Sequence, residues 1–481
     1  MSRAAIDGPN IMFVVVDTTR ADALGLGVGG GVAPELSAAA DGGRIYLRAT
    51  SPAPWTPPAH ASMFSGLTPS EHGVWGPNLL DDHGWPRRGA LQGPLLDRWL
   101  PSLLLERGYR TVGISANAWI SEYLGFDHGF ERFLSIKENP SGKTGQNRAT
   151  RIARRLPDPL VGWLKHRRML AGLRSRGQDW GATRAMTEIR EYLREPGAPF
   201  FAFVNLMEPH WPCHPPPDFE GFSREEADLA VEVLLRYRSP LKFDAQGRIT
   251  KRELPPEDVA MLRRLYMGEV TYLDRRLGEL LRWLDDAGRM QDTVVVIVAD
   301  HGEHIGEHGL LGHVGSVYEE LLHVPLLVLG PVELVGRGTE HARVSTQSLY
   351  RAVLDWTNCE SATLPRPTPV VAEYEGAWNH AGSVRRAQRD FHDGASKASS
   401  WVLYDEDWKF VLDSAGRERL HDLGSDPSET TDVSGGGRRD VMRRRLAEAI
   451  ADRRPPLLGP GAQTGERDLV VERELRALGY L

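Results

Sequence analysis

Three stretches of the chain are apolar at successive positions instead of alternate ones. They are Asn10-Ile-Met-Phe-Val-Val-Val-Asp17, Pro199-Phe-Phe-Ala-Phe-Val-Asn205 and Thr293-Val-Val-Val-Ile-Val-Ala-Asp300. A strand covered on both faces loses the in–out alternation of a half-exposed one, so these runs predict buried strands of a parallel sheet. Between the second and third, apolar residues recur at three and four over Leu262 to Ala287 (Leu265, Met267, Val270, Leu273, Leu277, Leu280, Leu281, Leu284), which predicts an amphipathic helix. Strands alternating with helices predict an α/β fold with a large, mixed but mostly parallel sheet flanked by helices. Ligands in such sheets bind beyond the carboxyl ends of the strands, so Asp17 and Asp300, each closing an apolar run, are expected in one crevice.

Near residue 360 the texture changes. Short apolar pieces, Trp401-Val-Leu-Tyr404 and Trp408-Lys-Phe-Val-Leu412, are separated by Gly and Asp and predict a small antiparallel sheet, followed by a basic amphipathic helix over Val441 to Ile450. The expected organisation is an α/β catalytic domain over 1–360 and a smaller α+β subdomain over 361–481. No repeat of solenoid period is visible.

Composition narrows the compartment more than the chemistry. With 481 residues, 41% hydrophobic and 26% charged, the chain is of ordinary globular make-up. Its two cysteines, Cys213 and Cys359, exclude a disulfide framework and favour a reducing compartment. Apolar runs fall short of the ~20 residues needed to span a bilayer, and the N-terminus carries no signal-peptide pattern. The expectation is a cytoplasmic protein with no membrane partner; homo-oligomerisation is left open. The net charge of −7 conceals a segment, Lys143 to Arg176, with ten Lys or Arg against Asp158, which leaves +9 there and −16 elsewhere. This basic insert, about 138–180, reads as a solvated helical face or as a rim attracting an anionic ester. A nucleic-acid role is the weaker alternative.

The strongest candidates for chemistry are Asp17 and the pair Asp300-His301, because two carboxylates and one imidazole at strand ends suit a divalent cation. In Trp55-Thr-Pro-Pro-Ala-His-Ala-Ser-Met-Phe-Ser-Gly66, Thr56 sits in a proline-stiffened turn at a helix start. A hydroxyl there can face both a metal and the positive end of a helix dipole, which lowers the cost of an alkoxide.

With these motifs the sequence resembles the sulfatase branch of the alkaline phosphatase superfamily. The resemblance is carried by Asn10 to Gly25, Thr56 to Gly73, Gly108-Tyr-Arg-Thr111, Glu208-Pro-His-Trp-Pro212, Ala299 to His313, Tyr318-Glu-Glu320, His421 to Pro427 and the closing Leu475 to Leu481. It implies an alkaline-phosphatase-like fold and metal-dependent hydrolysis of a phosphate, phosphonate or sulfate ester through a covalent intermediate on Thr56. By the same resemblance Asp17, Thr56, Asp300 and His301 are metal ligands, and Thr56, His210 and His313 are catalytic, the histidines as donors to substrate oxygens. Asn117, His60 and Arg20 are the substrate-binding candidates. One divalent ion (Mn, Mg, Ca or Zn) is expected.

The departures from the family pattern matter as much. Formylglycine sulfatases carry a convertible Cys or Ser followed by Pro and Arg. Here Thr56 is followed by Pro58 and His60, so no formylglycine is expected and release must come from attack on the covalent adduct. The family's Gly-Lys-Trp-His segment aligns with Ser115-Ala-Asn-Ala118, leaving Asn117 as the polar group. Threonine-nucleophile relatives favour phosphorus over sulfur. A phosphodiesterase-type second metal would need an Asp missing from Glu208-Pro-His-Trp-Pro212, so His214, His304 and His308 are only a reserve for it. Glu303 is expected to orient a neighbour and Thr18 to cap a helix or touch a ligand, while His72 reads as a turn residue and Trp55 and Trp211 as pocket walls. Transfer to an acceptor other than water, and a catalytically silent or polyanion-binding protein, are the alternatives.

Overall fold

The computed structural model describes residues 8–458 apart from 28–30, 80–86, 137–178, 196, 198, 217–220, 222, 238–249, 314, 359–363, 365–368, 376–398, 434–435, 452 and 454–455. The basic arm Lys143 to Arg176, Cys359 and the closing Leu475 to Leu481 lie outside the described residues.

The main sheet has eight strands: β1 (Asn10–Val16), β2 (Arg44–Tyr46), β3 (Arg110–Ser115), β4 (Arg132–Ser135), β5 (Phe200–Leu206), β6 (Thr293–Val298), β7 (Leu326–Leu329) and β8 (Gly338–Glu340). Their spatial order is β8-β2-β7-β6-β1-β5-β3-β4. The run β6-β1-β5-β3-β4 is parallel throughout, and β7 is antiparallel to both its neighbours. The three continuous apolar runs are the central strands β1, β5 and β6, with every residue buried, as their lack of alternation predicts. Val15 lies opposite Asn205 on one side and Val298 on the other, so all three strands end level and deliver their following residues to one rim.

Four helices carry the rest of the account: α1 (Thr56–Ser65), α2 (Ala182–Arg194), α3 (Pro256–Asp286) and α4 (Gly437–Ala451). Helix α3 has 31 residues and begins six positions before the apolar periodicity does. Its first turn is Pro256, Glu257 and Asp258, which suits an N-terminus by fixed φ and by negative charge without adding to the apolar stripe.

Helix α1 is buried on every side. Phe64 at its far end meets Phe203 of β5 edge-to-face (5.0 Å between ring centroids) and Trp99 at 5.2 Å. Gly66 ends the helix at φ +69° with the Tyr350 ring against its Cα, a conformation and a space that both require glycine. Truncating Phe64 would remove about 3–5 kcal/mol. The helix that carries Thr56 is thus a rigid platform.

The smaller sheet is wholly antiparallel, in the order β9 (Val370–Tyr374), β10 (Ser400–Asp405), β11 (Trp408–Asp413), β12 (Glu418–Asp422). Met442 and Leu446 of α4 cover its apolar face of Leu403, Phe410 and Leu420. No helix among the described residues is long and apolar enough to cross a membrane.

Candidate active site

Asp17 leaves the end of β1 and Asp300 follows β6 by two residues. Between Asp17 and the next helix the chain turns through Thr18 at φ +52°, a strained position for a β-branched residue. Tyr266 of α3 holds that turn: its hydroxyl donates to the Thr18 carbonyl (2.9 Å) and accepts the Arg20 N–H (2.9 Å).

The carboxylates are each half-satisfied. Asp300 Oδ1 accepts the N–H groups of His301 (2.9 Å) and Thr18 (3.3 Å), while Ser51 Oγ donates to the Asp300 carbonyl. Asp17 Oδ2 accepts Asn117 Nδ2 at 2.5 Å. Asp17 Oδ1 and Asp300 Oδ2 are buried and have no hydrogen-bond partner. His301 Nδ1 lies 2.9 Å from the Gly302 carbonyl, so that nitrogen carries the proton and Nε2 presents its lone pair. From Nε2 it is 3.8 Å to Asp17 Oδ1 and 3.5 Å to Asp300 Oδ2. Three ligand atoms therefore converge within 4.8 Å of one another, the one such group among the described residues.

Two orphaned carboxylate oxygens and an imidazole nitrogen fit a divalent cation. Electrostatics say the same. Burial holds the Asp17 carboxyl well above the ordinary range, with the Asp300 charge adding to it, and burial pushes Asp300 up to about 7. Burial also lowers His301, keeping its nitrogen available as a ligand.

Thr56 is the first residue of α1, after an extended Trp55, with Pro57 and Pro58 following. Prolines are tolerated here because the first-turn N–H groups have no partner inside the helix. Thr56 Oγ1 is 3.3 Å from His301 Nε2, so the hydroxyl joins the same cluster at the positive end of a helix.

Around this centre stand His210 and His313, with rings 5.1 Å apart, and His313 is 4.5 Å from the His301 ring. Glu303 orients both: Oε1 lies 3.0 Å from His313 Nδ1, and Oε2 accepts the Trp211 N–H at 3.1 Å. His210 Nδ1 is 2.6 Å from the Trp211 carbonyl, and burial pulls its pKa down to about 3. The contact puts a proton on Nδ1, and burial disfavours a second on Nε2.

The three substrate-binding candidates make hydrogen bonds within the chain. Both ends of the Asn117 amide are committed, Nδ2 to Asp17 and Oδ1 to the Trp119 N–H (2.8 Å). His60, fully buried one turn after Thr56, places Nδ1 3.0 Å from the Thr56 carbonyl and 3.5 Å from Asp300 Oδ2. The Arg20 guanidinium forks onto Asp22 (2.8 and 2.7 Å) and pairs with Glu307 at 2.7 Å.

Among the described residues, His214, His304 and His308 belong to no metal-sized ligand group. His304 bonds Ser316 (2.7 Å), His308 stacks on Tyr318, and the His214 N–H meets Glu269 (2.8 Å). His72 is internal, bonding Ser62 Oγ and the Pro58 carbonyl at 3.1 Å each.

Two contributors escaped the sequence reading. Asn205, 3.4 Å from His60 Nε2, closes an apolar run just as Asp17 does, so its position was a usable signal. Tyr266 lies mid-helix and far in sequence from the turn it holds, and nothing in the periodicity marks it.

A family model described as sulfatase matches residues 9–359. The chain is 22% identical to an arylsulfatase of Clostridium perfringens, covering 92% of this chain and 95% of that one. It is 24% identical to human arylsulfatase K over 90% of this chain and 80% of the relative. Among solved structures, phosphonate monoester hydrolase of Agrobacterium radiobacter superposes with a TM-score of 0.64 at 20% identity, covering 92% of this chain and 95% of that one.

Proposed function

The chain belongs to the sulfatase family, and on that premise we propose that it is a metal-dependent hydrolase of phosphate, phosphonate or sulfate esters that forms a covalent intermediate on Thr56. One observation carries this reading above the rest. Thr56 Oγ1, at a helix N-terminus, stands 3.3 Å from His301 Nε2 beside two buried carboxylate oxygens that nothing in the chain satisfies.

Asp17, Asp300, His301 and Thr56 would hold one divalent ion. When bound it supplies positive charge for the alkoxide and for one non-bridging oxygen of the substrate. Everything else is done by the chain.

In the first half-reaction Thr56 Oγ bonds to phosphorus or sulfur and its proton is released, while the bond to the leaving alcohol breaks. His313, braced by Glu303, gives that alcohol a proton. In the second, water attacks the adduct and the bond to Thr56 breaks. One water proton restores the Thr56 hydroxyl, the other returns to His313, and the acid leaves as its anion. His210, neutral and fixed by its own bond to Trp211, presents Nε2 as an acceptor. Asn117 and His60 hold Asp17 and the start of α1 in place, which keeps the nucleophile aligned.

Threonine cannot become an aldehyde hydrate, so release by collapse of a geminal diol is closed to this chain. This favours phosphorus esters over sulfate esters. The test is a panel of aryl phosphate mono- and diesters, a phosphonate ester and a sulfate ester, each with Mn, Mg, Ca and Zn, ranked by kcat/KM. Thr56→Ala should abolish turnover of whichever ester ranks first; full activity in that variant would end the reading.

A further inference from the structure

A cavity of about 470 Å³ opens between the main domain, the edge of the smaller sheet and the end of α4. Its size matches a drug-sized ligand. The walls are mainly apolar, with the indoles of Trp75 and Trp401 among them. The polar groups are Tyr374, Glu375 and the buried pair Arg453–Glu373.

Two wall residues also hold the catalytic loops. The Tyr374 hydroxyl accepts the N–H of Gly315 (3.2 Å), two residues after His313. Glu375 lies beside the indole of Trp55, the residue before Thr56, and accepts the Gly76 N–H at 3.4 Å. Two lining side chains thus touch the segments that carry the nucleophile and the proton donor.

Resting on the proposed ester hydrolysis, we propose that this cavity receives the alcohol side of the ester, and that it selects a ring-bearing alcohol with a hydrogen-bonding substituent. The indoles offer flat faces to a ring. Arg453 is already paired by Glu373 and donates to Ser70 Oγ (2.9 Å), so it does not call for an anion. Loss of solvation in the wall pushes the Glu375 carboxyl up to about 8, so at neutral pH it can both give and accept a hydrogen bond.

The test uses the full chain with its metal and two variants. Trp401→Ala removes one wall at a half-buried position, and Ser399→Trp, from the same lining, fills the cavity without removing an indole. The readout is the ratio of kcat/KM for a phenyl ester to that for the methyl ester of the same acid, together with calorimetric binding of 4-hydroxybenzyl alcohol. The ratio should fall at least about tenfold in both variants, and the alcohol should bind the parent protein with at least tenfold loss in each variant. A ratio within twofold of the parent, or alcohol binding unchanged by both variants, overturns the proposal. If the parent protein turns over no ester, the hydrolase reading fails while the calorimetry still decides the cavity.

Discussion

At the joint between the smaller sheet and the main body, Lys409 is fully buried, yet its ammonium reaches the Val317 carbonyl (2.6 Å), Glu429 (2.8 Å) and Glu319 (3.1 Å). Glu319 in turn takes the Tyr404 hydroxyl (2.6 Å) and Arg343 (3.3 Å). At the rim of the main sheet Asp17 and Asp300 are equally buried, but each keeps one oxygen without a hydrogen-bond partner. Burial works to raise all these carboxyls. At the joint Lys409 and Arg343 overcome it and hold Glu319 below the usual carboxylate range, whereas at the rim burial and mutual repulsion win and Asp17 and Asp300 rise. The presence of a cation within the chain separates a closed ion set, which locks two parts of the fold together, from an open one that needs a cation from outside.

The largest effect that would sharpen this contrast is at the open set. Thr56→Ala should lower kcat/KM by roughly 10⁴-fold or more, measured on the best ester of the panel, with the fold and most of the bound metal kept. At the closed set the loss should be in stability instead. Lys409→Met leaves Glu319 and Glu429 buried without their shared cation, and denaturant titration should show a loss of about 3–5 kcal/mol with metal content unchanged. Equal stability would break the distinction.

A smaller effect is expected at Glu303, which touches neither ion set but braces His313. Glu303→Gln should lower kcat about 10- to 100-fold for esters of poorly departing alcohols and less for good leaving groups. A uniform loss across leaving groups would assign Glu303 to structure alone.

The smallest concerns His72, buried under α1, whose pKa burial lowers to about 3. Its folded pKa lies below the unfolded value of about 6.5. The unfolded chain therefore binds the extra proton between those values, and the stabilisation is complete above pH 6.5 and lost as pH falls towards 3. One such group contributes a slope of at most about 1.4 kcal/mol per pH unit, which His72→Gln should remove from a stability profile measured between pH 4 and 6.5.

What the sequence made legible follows from how local each signal is. Continuous apolar runs revealed the three central strands, and their polar end residues marked Asp17 and Asp300, because burial on both faces and the strand-end rule are both written in adjacent positions. Thr56 was legible through the prolines that follow it. His210 and His313 came from the family resemblance, and only the structure showed the short contact between His210 Nδ1 and the Trp211 carbonyl. Asn117, His60 and Arg20 were the substrate-binding candidates of the sequence reading. In the structure their polar atoms are taken up by Asp17, by Thr56 and Asp300, and by Asp22 with Glu307. The joint was not legible at all: Lys409 meets Glu319 across 90 positions, and neither periodicity nor a motif links them.

The central claim is that the open carboxylates and His301 bind a divalent ion that Thr56 shares. Metal analysis of the purified chain and of Asp300→Asn, each reconstituted with Mn and dialysed, tests it most directly. The account predicts one ion per chain in the parent and near-complete loss in the variant. Unchanged occupancy in Asp300→Asn would contradict it.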